Sequence, residues 1–182
     1  QMITIDLGTV EYYDDSTDQF IYVEGGVVRF EYTLKVLYRW EGKYKKPFFK
    51  KEHITEEEIL DFYRMMALDP FDDKFLTQDV IKVLSDYVGD SHTATTFYQP
   101  PGQNDGSLGG KGKIYTAEEL YALMFMAHIP LEWENRNLNR LLTIIRIISN
   151  YNSPPKKMSR EEVLKQNQEL NRQRRAQLKT KG

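Results

Sequence analysis

The chain opens on a period of two. Ile3, Ile5 and Leu7 alternate with polar residues, and Phe20, Tyr22 and Val23 follow the polar run Asp14-Asp15-Ser16-Thr17-Asp18. After Gly25-Gly26, the segment Val27 to Trp40 is rich in β-branched and aromatic residues and carries Phe30, Tyr32, Leu34, Val36 and Tyr38 on one parity. This alternation predicts strands over about residues 2–40, forming a half-buried antiparallel sheet with a hairpin at Gly25-Gly26.

From Thr55 the period becomes helical. Thr55 with Glu58 is a capping box, and Ile59, Phe62, Tyr63 and Met66 recur at helical spacing up to the stop at Asp69-Pro70. A second helix opens at Thr77, carries Val80, Ile81, Val83, Leu84, Tyr87 and Val88, and stops at Gly89. Residues 99–113, with Pro100, Pro101 and five glycines, read as a loop. Thr116 with Glu119 caps a third helix bearing Leu120, Leu123, Met124 and Ala127, closed by Pro130. The fourth runs from about Asn135 to Ser149 and is apolar nearly all round (Leu138, Leu141, Leu142, Ile144, Ile145, Ile147, Ile148), which predicts the central buried helix.

After the break at Asn150 to Pro155, Ser159 with Glu162 opens a fifth helix reaching about Leu178. It differs from the rest. Val163, Leu170 and Leu178, with Asn167 and Arg174 interleaved, form a stripe too thin to hold a helix on its own body, so it is expected to lie against another chain or fray. The fold class read from these patterns is α+β: an N-terminal antiparallel hairpin or sheet, a mainly helical bundle, and a basic C-terminal helix. Residues 1–152 form the body, and 153–182 a Pro-Pro hinge with that helix.

Charge sharpens the division. From Lys156 onward nine basic residues face three glutamates, a net +6, and the remaining 16 basic and 24 acidic residues leave the body at −8. The 182 residues contain no cysteine, so disulfides and thiolate metal sites are impossible. No stretch approaches the ~18 consecutive apolar residues of a membrane helix. No basic region precedes an apolar run at the N-terminus, so a signal peptide is not expected either. A soluble protein acting inside the cell is the expectation.

Catalytic motifs are missing. His53, His92 and His128 have no partner at ligand spacing. Asp90-Ser91-His92 has the residue types of a hydrolase, but adjacency does not build a triad, and it reads as a helix-ending turn. Gly109-Gly110-Lys111-Gly112-Lys113 fails the phosphate-loop spacing. Glu56, Glu57, Glu58, Glu118 and Glu119 occupy helix first turns, where they complement the dipole. No catalytic residue, metal site or cofactor is therefore assigned. The run Tyr38, Trp40, Tyr44, Phe48 and Phe49, mixed with Lys43, Lys45, Lys46, Lys50 and Lys51, suits either a protein interface or nucleic acid, with a protein partner or the fold itself favoured. The basic helix faces the same choice, contacting nucleic acid or the acidic body of a second copy.

Several strings resemble one family, the siphophage tail assembly chaperones. Trp40-Glu41 followed by Lys46-Pro47-Phe48 is similar to its Trp-Glu…Lys-Pro-Phe segment, and Asp61 to Met66 resembles its Asp-Tyr-Ile-Arg-Cys-Met helix, with Met65 at the Cys position. Thr93-Ala-Thr-Thr-Phe97, Ile129-Pro130, Leu138-Asn-Arg-Leu-Leu-Thr143, Pro154-Pro-Lys-Lys-Met-Ser159, Leu170-Asn171, Arg174-Arg175 and Thr180-Lys181-Gly182 also match. The resemblance implies a non-enzymatic protein of the host cytoplasm that binds the tape measure protein and tail tube subunits while the tail is built. Self-association is expected. A permanent tail or neck subunit, and a nucleic-acid-binding module, are the alternatives. The expected contact residues are Trp40, Tyr44, Lys46, Phe48 and Phe49 in the aromatic-basic run, and Val163, Asn167, Leu170, Arg174, Arg175 and Leu178 on the last helix.

Overall fold

Residues 3–30 fold back on themselves as one antiparallel ribbon. In the computed structural model, which describes residues 2–97, 114–152 and 160–178, β1 (Ile3–Asp6) pairs with β4 (Val27–Phe30), and β2 (Thr9–Asp14) with β3 (Gln19–Glu24). The two ladders keep one register, Ile3 opposite Phe30 and Thr9 opposite Glu24. The Leu7 N–H donates to the Gly26 carbonyl at 2.9 Å, and the Gly25 N–H to that of Gly8 at 2.8 Å, so hydrogen bonding runs through the break.

Gly25-Gly26 is thus not the hairpin turn that the alternation predicts. It is a kink inside the ribbon, where Gly8 and Gly26 both have positive φ (66° and 67°). The turn lies at the Asp14–Asp18 run. There the Asp14 carboxylate accepts from the Ser16 N–H (3.0 Å), the Ser16 hydroxyl (2.6 Å) and the Thr17 hydroxyl (3.0 Å).

The predicted strand to Trp40 also needs correction: extended pairing stops at Phe30, and α1 (Leu34–Tyr44) begins three residues after Glu31. Thr33 is its N-cap, its side-chain oxygen accepting the Val36 N–H at 3.2 Å. The apparent period of two came from apolar residues on both parities. Leu34, Leu37 and Trp40 are buried at helical spacing, while Tyr38 of the supposed strand face is exposed.

Residues 29–33 act as a keystone. The Leu68 N–H donates to the Arg29 carbonyl (2.8 Å) and the Glu31 N–H to the Met66 carbonyl (3.0 Å), joining the end of α2 (Glu56–Met66) to the ribbon. On the other side, the Leu138 N–H donates to the Tyr32 carbonyl (2.7 Å), and a bridge pairs Thr33 with Asn137 at the start of α5 (Leu138–Asn152). Helix α3 spans Gln78–Gly89, α4 Ala117–Met126 and α6 Arg160–Leu178. The capping boxes at Thr55/Glu58 and Thr116/Glu119 both form. The loop 99–113, the Pro154-Pro155 hinge and the Ser159 cap lie outside the described residues.

The central helix is α1, not α5. Leu34, Leu37 and Trp40 are completely buried, and α2 and α4 pack on α1. Of α5, Leu138, Leu141 and Ile145 are buried, while Leu142, Ile144 and Ile148 are only partly covered. Its all-round apolar sequence sits at a flank with one face inward. Among the described residues, no helix is long and apolar enough to cross a membrane.

Candidate partner interface

The aromatic-basic run folds inward. Trp40, read from the sequence as a partner contact, is fully buried, and its indole N–H donates to the Glu58 carbonyl at 2.7 Å. Its ring lies 4.9 Å from Tyr44, 5.1 Å from Phe48 and 6.4 Å from Phe62, and Phe48 stacks on Phe62 at 4.0 Å. Tyr44, Phe48 and Phe49 are partly buried against the same core. Two of its lysines pair with α2, Lys43 with Asp61 (2.7 Å) and Lys46 with Glu58 (2.7 Å), and Lys46 also donates to the His53 carbonyl (3.1 Å) just before that helix. Burial opposes ionisation of Asp61, but Lys43 and Tyr44 bonded to it hold its carboxyl below the ordinary value. This segment is a cross-brace between α1 and α2, and Trp40 presents no surface to a partner in this fold.

Helix α6 has the opposite character. Val163 and Leu164 are 41% and 54% exposed, and Asn167, Arg174 and Arg175 are exposed. Leu170 is half-buried, on one face with Gln166, Glu169 and Gln173. Gln173 and Ala176 border a cleft of about 550 Å³ whose other wall includes Phe97, Leu142, Thr143 and Arg146. Leu178 closes the helix, and its side chain lies outside the described residues. No described side chain of α6 is buried.

A second apolar surface escaped the sequence reading. The register places Tyr13 opposite Phe20 and Glu11 opposite Tyr22 on one face of the β2–β3 hairpin, and Tyr12 opposite Ile21 and Val10 opposite Val23 on the other. Val10 and Val23 pack toward the core. Tyr13, Phe20 and Tyr22 face outward, 45%, 64% and 67% exposed, with Tyr13 and Phe20 edge-to-face at 5.2 Å. The Tyr22 hydroxyl donates to Glu11 (2.8 Å) and that of Tyr13 to Asp18. The signal was present as large apolar residues on both parities of β2 and β3, one set more than a single buried face consumes. Phe125, Met126 and Leu131, at the end of α4 and just after it, add exposed apolar area.

Two candidate reacting groups, His92 and Tyr87, are hydrogen-bonded within the fold. The His92 ring sits between Asp90 (3.3 Å from Nδ1) and the Tyr87 carbonyl (3.0 Å from Nε2), so neither nitrogen is aimed at Ser91. The buried Tyr87 hydroxyl donates to Glu31 at 2.7 Å and accepts from Asn137 at 3.2 Å; burial first, then Glu31, pushes its pKa up to about 12. Among the described residues, no three His, Asp or Glu side chains gather as a metal site. No protein-family model matches the chain, and neither curated proteins nor solved structures give a match.

Proposed function

We propose that this chain is a non-enzymatic assembly factor of the tail assembly chaperone kind, acting in the host cytoplasm on tape measure and tail tube proteins. The observation that carries the reading is the state of α6. It is a basic helix with Val163 and Leu164 exposed in its first turns and Arg174 and Arg175 exposed about three turns further on, an element without full cover from its own body. Such helices bind in grooves or against helical partners, through a short apolar stripe and flanking charges. The outward aromatics of the β2–β3 hairpin supply a second anchor of the type that dominates protein interfaces. The resemblance to tail assembly chaperones names the partners.

The test is co-expression of the full chain with tape measure and tube proteins, followed by affinity capture and mass spectrometry of finished particles. Capture of the tape measure, lost in Arg174→Glu/Arg175→Glu and absent from mature particles, supports the reading. Stoichiometric presence in particles assigns the chain to the tail or neck structure instead.

A further inference from the structure

The body is acidic, yet one concave site on it is strongly basic. A cleft of about 540 Å³ is lined by Lys35 and Arg39 of α1 and by Arg136 and Arg140 at the start of α5. Lys35 lies 3.4 Å from Glu134. Among the described residues, no carboxylate forms an ion pair with Arg39, Arg136 or Arg140. Glu31, the one acidic residue of the lining, is buried and holds the Tyr87 hydroxyl. Lys35 and Arg39 are one helical turn apart on α1, while Arg136 stands in extended backbone just before α5 and Arg140 in its first turn. The Thr33–Asn137 bridge brings the two pairs together. Four cations on one lining outnumber the carboxylates beside them, Glu134 at Lys35 and the buried Glu31, and a concave wall concentrates their field. The starts of α1 and α5 open onto the same cleft and carry no acidic residue in their first turns, so their dipoles add to that field.

We propose that this cleft binds a small phosphorylated molecule carrying two or more phosphate groups. Guanidinium forks pair bidentately with phosphate oxygens, and a polyphosphate offers enough oxygens to engage several at once. The volume fits a compact ligand. Half-buried Trp133 on the same lining gives a flat apolar wall beside the cations.

The experiment is isothermal titration of the full chain with pyrophosphate, with adenosine triphosphate and with a single-stranded oligonucleotide, at low salt. Pyrophosphate and the triphosphate both bind, and Arg39→Gln/Arg140→Gln weakens both by about tenfold or more. Lys82→Gln/Lys165→Gln, which removes the same charge elsewhere, leaves both within about twofold. Tighter binding of the triphosphate than of pyrophosphate identifies a nucleotide; equal binding identifies the phosphates alone. If the double arginine variant does not fold, Arg136→Lys, which keeps the charge and loses the fork, weakens pyrophosphate by about threefold. Silence with both small ligands overturns the proposal. So does binding of the oligonucleotide alone, equal loss in the two double variants, or unchanged affinity in Arg136→Lys where that variant is needed.

Discussion

The Glu41 carboxylate accepts the backbone N–H of Ala117 at 2.6 Å, tying the last turn of α1 to the first turn of α4. Its other oxygen accepts the Phe48 N–H at 2.8 Å. One half-buried side chain thereby satisfies two backbone donors and fixes both the loop after α1 and the seat of α4. Truncation leaves both backbone donors unpaired, and glutamine, whose amide nitrogen cannot accept, leaves one of them so. Glu41→Ala is expected to lower stability by about 2–3 kcal/mol and Glu41→Gln by about 1 kcal/mol. Urea unfolding followed by circular dichroism checks both; a loss under about 0.5 kcal/mol for the alanine variant refutes the assigned role.

The fate of the aromatic-basic run separates core from interface. With Trp40 fully buried and Phe48 stacked on Phe62, Trp40→Ala and Phe62→Ala each cost about 3–5 kcal/mol. Trp40→Phe loses mainly the bond to the Glu58 carbonyl, about 1–2 kcal/mol. The outward pair behaves differently: Phe20→Ser with Tyr22→Ser changes stability by about 1 kcal/mol or less and weakens partner capture. Thermal unfolding and a pull-down on the same variants give the answer. Stability untouched by Trp40→Ala would return that residue to the surface.

The capping boxes at Thr55 and Thr116 were legible because a Glu stands three residues on in each case. The cap at Thr33 was not, because Val36 stands at that position and Phe30 to Tyr38 is apolar on both parities. Sequence alone gave the α+β class and four of the five helices that fall within the body. It missed α1, the one on which α2 and α4 pack. Whether Lys43 and Lys46 faced a partner or the fold depended on Asp61 and Glu58 arriving from α2, a tertiary fact. The basic cleft was equally hidden, since Lys35/Arg39 and Arg136/Arg140 lie far apart along the chain and meet through the Thr33–Asn137 bridge.

The ribbon's kink makes a steric prediction. A Cβ on Gly25 would stand 2.6 Å from Leu7 Cβ and 2.6 Å from Phe75 Cδ1, both in the core, so Gly25→Ala is expected to cost about 2 kcal/mol through overpacking. Gly26 has open space around its α-carbon but a φ of +67°, and Gly26→Ala is expected to cost about 1 kcal/mol from backbone strain alone. Phe75→Leu, by giving room, should recover part of the Gly25→Ala loss and none of the Gly26→Ala loss. Melting temperatures of the four variants test this, and equal rescue of both alanine variants would refute the close contact.

Two carboxylates give opposite pH signatures. Asp69 accepts both the Nε–H (2.8 Å) and an Nη2–H (2.7 Å) of Arg29, together with the Arg29 backbone N–H (3.0 Å), and the Arg29 bonds lower its pKa to about 2. The folded value lies below the unfolded one of about 3.9, so the unfolded chain takes up the proton first as pH falls. Asp69 therefore stabilises the fold fully above about pH 4, and that contribution disappears as pH falls toward 2. Glu41 has the reverse sign. Burial raises its pKa against the two backbone N–H donors, with Glu118 and Glu119 adding to the rise, so its contribution is greatest when protonated and is lost as pH climbs through the raised value. Unfolding free energies measured from pH 2 to 7 for wild type, Asp69→Asn and Glu41→Gln resolve the two. The wild-type advantage over Asp69→Asn should shrink toward pH 2, while its advantage over Glu41→Gln should shrink as pH rises above about 4. If the Asp69 difference instead stayed constant across the acid limb, the Arg29 pairing would carry no linked proton and the bidentate geometry would not persist in solution.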